Sequence, residues 1–452
     1  MTKKLFLYFT VVSAVLTLLS AVPGADAKKD ETVKPKKKNE ANAKVDLLDL
    51  NLMDCYTLAL QQSETVAISK EEIERAEAGI FQATSDALGE VHFVASDLKQ
   101  DAPQNNASGG TSVGSTLTQR DKPESKFVIT QPLFQGFKSL GALTGAGSLR
   151  NQRKNEWLRA EQLLFLDVAR SFYQVLRYQK DVQTIEEIKK SLIERISDLS
   201  EREKIGRSRA SELATAKSEL KLIEAELAKS KGLLLVEKQV LSFLIGKPFD
   251  QIMLVDQALT DITLPVTDYT AKLESRPDVE ASKQALKLAR KRLIVAQSDL
   301  WPSVSLEHNR YTHREGFQSD IDWDILFKVD VPLFKGGETT GKIKDAISLW
   351  KQAKWAHLRT KREAELDIKR NYLQWRTTKE QYEALRDSVY ASEENFKLQK
   401  EDYAHNLVNN LDVLQALEQF YQSSRQANEV YYDMKLNFWR LQVASGQCCP
   451  ET

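Results

Sequence analysis

The stretch Phe127-Val-Ile-Thr-Gln-Pro-Leu-Phe-Gln-Gly136 returns later in the chain as Phe327-Lys-Val-Asp-Val-Pro-Leu-Phe-Lys-Gly336. The two copies lie 200 positions apart and share the ending Pro-Leu-Phe-x-Gly. A second pair, Leu166-Asp-Val-Ala-Arg-Ser-Phe-Tyr-Gln174 and Leu366-Asp-Ile-Lys-Arg-Asn-Tyr-Leu-Gln374, keeps the same separation without a gap. A fixed period of this length indicates a duplication, so we expect two related halves.

A long proline-free stretch follows each copy, and both are rich in Glu, Lys, Leu, Ala and Gln, which is typical of long helices. Apolar residues recur there at spacings of three and four, as in a coiled coil. The pattern predicts long helices over 137–205 and 337–405 and shorter ones over 52–88, 208–245, 268–300 and 408–445. Because two short lengths sum to one long length, we expect an elongated rod.

Strands are predicted over about 89–134 and about 302–334. From Ile321 to Leu333, apolar and aromatic residues alternate with mostly charged ones, which is the period of a strand with one apolar face. A half-buried strand in a soluble sheet is the alternative. Four strands cannot close a barrel alone, but several subunits could share one.

The N-terminus has the features of a secretory signal peptide over 1–27: two lysines, an apolar run from Leu5 to Val22, and a small-x-small site ending at Ala27. An uncleaved anchor helix is the alternative. The Lys-rich segment 28–46 is predicted to be a disordered leader, with a surface-binding basic patch as the alternative. The remaining divisions are predicted to be a first repeat over 47–250, a linker over 251–267, a second repeat over 268–446 and a tail over 447–452.

Composition excludes several classes of protein. The 452 residues include 64 Lys and Arg and 64 Asp and Glu, so net charge does not favour nucleic-acid binding. A hydrophobic content of 42% is too low for a bundle of transmembrane helices. The three cysteines, Cys55, Cys448 and Cys449, form neither a disulfide framework nor a metal-binding spacing, although a bridge from Cys55 to the C-terminus stays open.

No motif indicates an enzyme. The loop from Gly336 to Lys342 resembles a phosphate-binding loop, but Ile343 replaces the Ser or Thr that would hold magnesium, and Ala142 replaces the lysine in the first repeat. The five histidines show no i, i+4 pairing that would favour zinc. We therefore predict no catalytic residue, no cofactor and no metal site.

From about Leu47 to Gly446 the chain resembles the TolC family of outer-membrane efflux proteins. The resemblance depends on the order and 200-residue period of several short motifs: the duplicated Pro-Leu-Phe-x-Gly at 132–136 and 332–336, Arg276-Pro-Asp-Val279, Trp301-Pro302, and Leu411-Asp-Val-Leu414.

The resemblance implies a mainly α fold with a small β part. Duplicated coiled-coil helices would form a periplasmic α-barrel, and four strands from each subunit of a homotrimer would close a twelve-stranded β-barrel in the outer-membrane lipid. An inner-membrane transporter and a periplasmic adaptor would dock at the helical tip. The chain would then be the exit duct of a tripartite efflux pump or of a type I secretion system, carrying small molecules or polypeptide.

The resemblance also assigns site residues. Asp412 and Glu212 match carboxylates that narrow the pore, and Tyr403, Gly206 and Asn406 match residues of the tip. An independent argument supports the first pair, since a threefold carboxylate ring favours cations over anions. Ordinary solvated carboxylates at helix starts are the alternative.

Other positions mark the strand–helix junctions or depart from the family. The junction residues are Pro132, Gly136, Pro332 and Gly336. Gln415 stands where some relatives have a second carboxylate, and Val408 where some have an arginine that ties the closed tip. The remaining alternative for function is an exported, non-conducting coiled-coil structural or adaptor protein.

Overall fold

The computed structural model describes residues 48–101, 121–249, 252–258, 264–315 and 318–447. The predicted signal peptide, the Lys-rich leader, Cys448 and Cys449 lie outside these residues. Cys55 is buried and forms no disulfide within the described residues. In the described part of the chain, no helix is long and apolar enough to cross a membrane.

Both halves have the predicted order, except that two helices rather than one precede the two strands, which are followed by a long helix and a short helix. The first half comprises α1 (Leu52–Gln62), α2 (Glu64–Leu88), β2 (Glu90–Lys99), β3 (Asp121–Gln135), α3 (Lys138–Lys204) and α4 (Ala210–Ile245). The second comprises α5 (Val266–Ala271), α6 (Pro277–Gln297), β5 (Ser303–Arg314), β6 (Trp323–Asp330), α7 (Glu338–Ala404) and α8 (Asn410–Ala444). The long helices α3 and α7 each have 67 residues, or about 100 Å at 1.5 Å per residue.

The single helices predicted over 268–300 and over 52–88 are both wrong, because the first is interrupted between Ala271 and Pro277 and the second at Ser63. That residue is extended, and its hydroxyl accepts a hydrogen bond from the backbone N–H of Val66, so it caps the start of α2. The predicted strand over 321–333 is also too long, since β6 ends at Asp330. Pro332 follows, and it has no N–H to contribute to a ladder.

The four long strands form one antiparallel sheet in the order β2-β3-β5-β6. Phe127 of β3 lies opposite Phe93 of β2 on one side and Arg310 of β5 on the other. Irregularities interrupt the β3–β5 ladder at Ser125/Lys126 and at Pro132/Phe134. Strands β2 and β6 are the edges of this sheet.

A separate short parallel pair joins the start of the described chain to the segment between the repeats. In it, β1 (Leu48–Leu50) pairs with β4 (Ile252–Leu254). Both strands contribute to a hydrophobic cluster with α1, α3 and α4, and only Leu436 and Val443 of α8 represent the second repeat among its buried members.

Helix α3 is the centre of the packing, since it contacts α2, α4, α6 and α8. Most of the apolar residues that predicted its coiled-coil face are buried, and Val182 and Ile196 are partly buried; the buried ones are Phe165, Val168, Phe172, Val175, Ile185, Ile188, Leu192 and Leu199. Their spacing of three and four keeps them on one side of the helix, which explains why α3 packs along its whole length.

A buried ionic cluster joins α3, α4 and α8 about midway along the short helices. Asp181 is 7% exposed and accepts bonds of 2.6 and 2.9 Å from the Arg425 guanidinium and one of 2.7 Å from the Ser230 hydroxyl. Arg425 also pairs with Glu226 at 2.9 Å. The bidentate contact is a strong geometry, and it ties the first repeat to the second.

Candidate functional site

The turn between α3 and α4 and the turn between α7 and α8 have the same geometry. The resemblance places both turns at the tip. Gly206 and Asn406 adopt left-handed backbone angles, with φ of 72° and 58°. The N–H of Gly206 donates to the carbonyl of Glu203, and the N–H of Asn406 donates to that of Tyr403. Glycine and asparagine tolerate this conformation best, which explains why these two residues end the long helices.

Asp412 lies in the first turn of α8 and takes part in a capping box. The Asn409 side chain accepts bonds from the backbone N–H groups of Leu411 and Asp412, and Asp412 Oδ2 accepts a 3.0 Å bond from the Asn409 N–H. The carboxylate is half-buried and fixed in position. It therefore stabilises the helix start, whatever further role it has.

Glu212 occupies the matching turn of α4 with a different partner. Its Oε2 accepts a 2.7 Å bond from the Ser208 hydroxyl. Gln415 is exposed, one turn above Asp412. The structure thus places Asp412 and Glu212 at equivalent helix starts, and it gives no bond between them among the described residues.

Tyr403 is held between two arginines of the first repeat. The guanidinium of Arg195 lies 3.6 Å from the centre of its ring, and that of Arg202 lies 4.7 Å away. Tyr403 is 7% exposed and belongs to a cluster with Leu199, Leu213, Ala216 and Val413. Two cations on one buried ring make a strong contact between the long helices.

Arg195 has further partners that fix its position. Its Nε donates a 2.9 Å bond to Asn410 Oδ1, and Asp198 pairs with both Arg195 and Arg202, at 3.4 and 3.2 Å. Burial lowers the pKa of Arg195, while Tyr403 and Asp198 act in the opposite direction. An arginine with such partners stays charged at neutral pH.

No sequence pattern indicated Arg195, Arg202, Asp198 or Asn410 as residues of this site. One usable signal was the difference between repeats, because Asn395 and Asp402 stand where the first repeat has the two arginines. Val408, noted as a departure, packs against the cluster around Tyr403. At this tip, the arginines that tie the repeats together thus come from α3.

The two strand–helix junctions differ in packing. Gly136 has φ of 59°, and a Cβ atom there would lie 2.5 Å from the Ser298 carbonyl oxygen. Gly336 has φ of 58°, yet a Cβ atom there would have nothing within 4 Å. Pro132 lies inside β3 beside a ladder irregularity, whereas Pro332 lies beyond β6.

One face of the sheet is mostly apolar and exposed, with His308 and Arg310 of β5 as its polar members. Its large exposed side chains include Val91, Phe93, Phe127, Ile129, Trp323, Ile325, Phe327 and Val329. On the opposite face, Asp324 accepts bonds from the Asn309 amide at 2.9 Å and the Tyr311 hydroxyl at 2.7 Å. The sheet therefore separates an apolar surface from a hydrogen-bonded polar one.

The lysine of the loop that resembles a phosphate-binding loop takes part in ion pairs. Lys342 pairs with Asp299 at 3.1 Å and with Glu338 at 2.8 Å, which engages its ammonium group. Over the described residues there is no group of three or more His, Cys, Asp or Glu side chains that could hold a metal ion.

Comparison with known proteins gives the same family throughout. The model of the outer membrane efflux protein family matches residues 55–247 and 269–447. Outer membrane protein TolC of Vibrio cholerae is 20% identical over 366 residues, which cover 76% of this chain and 82% of that protein.

Solved structures show the same fold. The VceC outer membrane protein of Vibrio cholerae has a TM-score of 0.76 at 20% identity, covering 87% of this chain and 96% of that one. The CmeC outer membrane channel of Campylobacter jejuni has a TM-score of 0.76 at 17% identity, covering 92% and 94%. The predicted mainly α fold with its small sheet is confirmed, and the chain belongs to the outer membrane efflux protein family.

Proposed function

We propose that three copies of this chain assemble into one conduit that crosses the outer membrane and the periplasm. The observation that carries the proposal is the four-stranded sheet, whose edge strands β2 and β6 have no partner on their outer sides among the described strands, together with its exposed, mostly apolar face. An open edge invites pairing with another strand. Three sheets joined edge to edge have twelve strands, whose apolar faces would meet lipid.

The chain is an outer-membrane efflux channel and belongs to a family of channel proteins. The proposal extends to the solute that it carries and to the proteins with which it assembles. We favour the exit duct of a tripartite efflux pump over type I secretion, because the matching family is described as one of efflux proteins. An inner-membrane transporter would supply the energy, and a periplasmic adaptor would join it to the helical tip.

In the proposed trimer, Asp412 and Glu212 each form a ring of three carboxylates at the tip. Such rings attract cations and oppose anions. Gln415 adds a ring of amides one turn above, where a second acidic ring is missing. Tyr403, clamped by Arg195 and Arg202, would hold the two helix pairs of one subunit together when the tip is closed.

The test is ion conductance of the detergent-extracted mature protein in a planar bilayer, with a KCl gradient to measure selectivity. Asp412→Asn removes the charge and keeps an oxygen that can accept the capping bond from Asn409. Asp387→Asn is the matched control, because the Asp387 side chain is 74% exposed and pairs with Arg386, the preceding residue on α7. We expect discrete channels whose cation preference falls in the first variant only.

Other outcomes would contradict parts of the proposal. Channels with the same selectivity in both variants would remove Asp412 from the constriction. The proposed conduit would be refuted if the protein folds, is soluble without detergent and never conducts. That result would favour the alternative, a non-conducting coiled-coil adaptor.

A further inference from the structure

The exposed face of α8 above Asp412 has an unusual composition. Between Leu411 and Glu429, the exposed residues of this helix are Leu411, Gln415, Glu418, Gln419, Gln422, Gln426 and Glu429. The four glutamines are spaced by four, three and four residues, which places them in one line along the helix. Over 11 residues they span about 16 Å.

This face has a defined orientation in the subunit. Helix α8 packs against α3 and α7, which bury its opposite side. A groove of about 360 Å³ separates α8 from α4, with Gln422 and Gln426 on one wall, Glu226 and Lys229 on the other, and Asp181 of α3 among its lining residues. Helices α4 and α8 therefore lie on the same side of α3.

Most charged groups that border the glutamines are neutralised. Arg425 pairs with Asp181 and Glu226, and Arg177 pairs with Glu429 at 2.6 Å. Glu418 is the exception: it accepts a 3.0 Å bond from the Gln422 amide, and it contributes with burial to a raised pKa of Glu219 on α4. The exposed polar surface here is thus the line of amides with the Glu418 carboxylate beside it.

We propose that these four glutamines, with the single carboxylate of Glu418 beside them, form a hydrogen-bonding wall of the conduit that carries little charge, so that selection by charge is concentrated in the helix turns nearest the tip. The inference rests on the proposed function, because it takes the side of α8 that carries Asp412 as the side that faces the pore. Amides donate and accept hydrogen bonds without net charge. A cationic or neutral polar solute that has passed the carboxylate rings would meet a surface that binds it weakly and lets it leave.

The inference is tested by placing charges on the wall. In a planar bilayer with a KCl gradient, Gln419→Lys and Gln419→Glu would be compared with Gln374→Lys and Gln374→Glu at an exposed position of α7. A unit charge about 7 Å from an ion in water changes the energy of that ion by about RT, or a factor of about three. Because the added charge shifts the energies of cation and anion by about RT in opposite directions, we expect Gln419→Lys to lower the cation-over-anion permeability ratio about sevenfold and Gln419→Glu to raise it by a similar factor.

The outcomes separate this inference from the proposed function. If the unsubstituted protein conducts and both Gln419 variants keep its permeability ratio, the proposed glutamine wall is refuted, whereas the proposed conduit is retained. Equal changes at Gln374 and Gln419 would mean a general effect of protein charge, which also contradicts the wall. If the unsubstituted protein never conducts, the proposed function itself fails.

Discussion

Replacing Tyr403 by Ala is expected to loosen the tip. The substitution removes the ring on which Arg195 and Arg202 lie at 3.6 and 4.7 Å. A cation over an aromatic ring contributes about 0.5–1 kcal/mol when exposed and about 2 kcal/mol when desolvated, and Tyr403 is 7% exposed. Because the two cations repel each other and share one ring, their contributions do not add fully. We take about 2–3 kcal/mol for the pair.

If this contact exists only in the closed tip, its loss shifts the ratio of open to closed channels by about 30- to 150-fold, since each 1.4 kcal/mol is about tenfold. Single-channel recording measures this ratio as the open probability. Tyr403→Phe is the matched control, because it keeps the ring and both guanidinium contacts. The reasoning is refuted if Tyr403→Ala leaves the open probability unchanged, or if Tyr403→Phe raises it as much.

Three further predictions concern stability, measured as the thermal unfolding midpoint by circular dichroism. Gly136→Ala should lower the free energy of unfolding by about 2–4 kcal/mol, because the left-handed backbone is strained and the added Cβ atom clashes with backbone. Gly336→Ala should lower it by only about 1 kcal/mol, from the strain alone. Equal losses in the two variants would contradict this. Asp181→Asn should lower the free energy of unfolding by about 2–3 kcal/mol. This loss is smaller than that expected for a fully buried ion pair, because Arg425 is partly exposed. An unchanged midpoint would refute the prediction. Glu219→Gln should raise the midpoint at pH 7. Burial raises the pKa of Glu219 in the folded state, so the folded state binds more protons than the unfolded state. The native carboxylate therefore lowers the free energy of unfolding as the pH rises above its unfolded pKa of about 4.3. The gain should vanish below that pH, and a gain that persists there would contradict the cause.

Features that depend on local periodicity could be predicted from the sequence. Helix α3 follows from apolar spacing along one side, and β6 from alternation. The capping role of Asp412 was also within reach, because Asn409-x-x-Asp412 is the spacing of a capping box. The break at Ser63 was missed because serine is compatible with both a helix interior and a cap.

The clamp on Tyr403 could not be predicted in the same way. Arg195 lies 208 positions before Tyr403, and two surface arginines on a charged helix look like ordinary solvated residues. Only the packing of α3 against the second repeat brings them to the ring. Contacts between the repeats depend on tertiary structure, which no local pattern encodes.

The short parallel pair of β1 and β4 sets an order of assembly. It joins segments about 200 residues apart, and closing so long a loop is slow, yet it requires nothing from the second repeat. A chain that emerges from its N-terminus can therefore complete most of one helical core when β4 appears. The large sheet must wait for β5 and β6, so the edge of β3 that later pairs with β5 stays open while the second repeat emerges, and this is the stage at which the folding chain is most exposed to pairing with another chain.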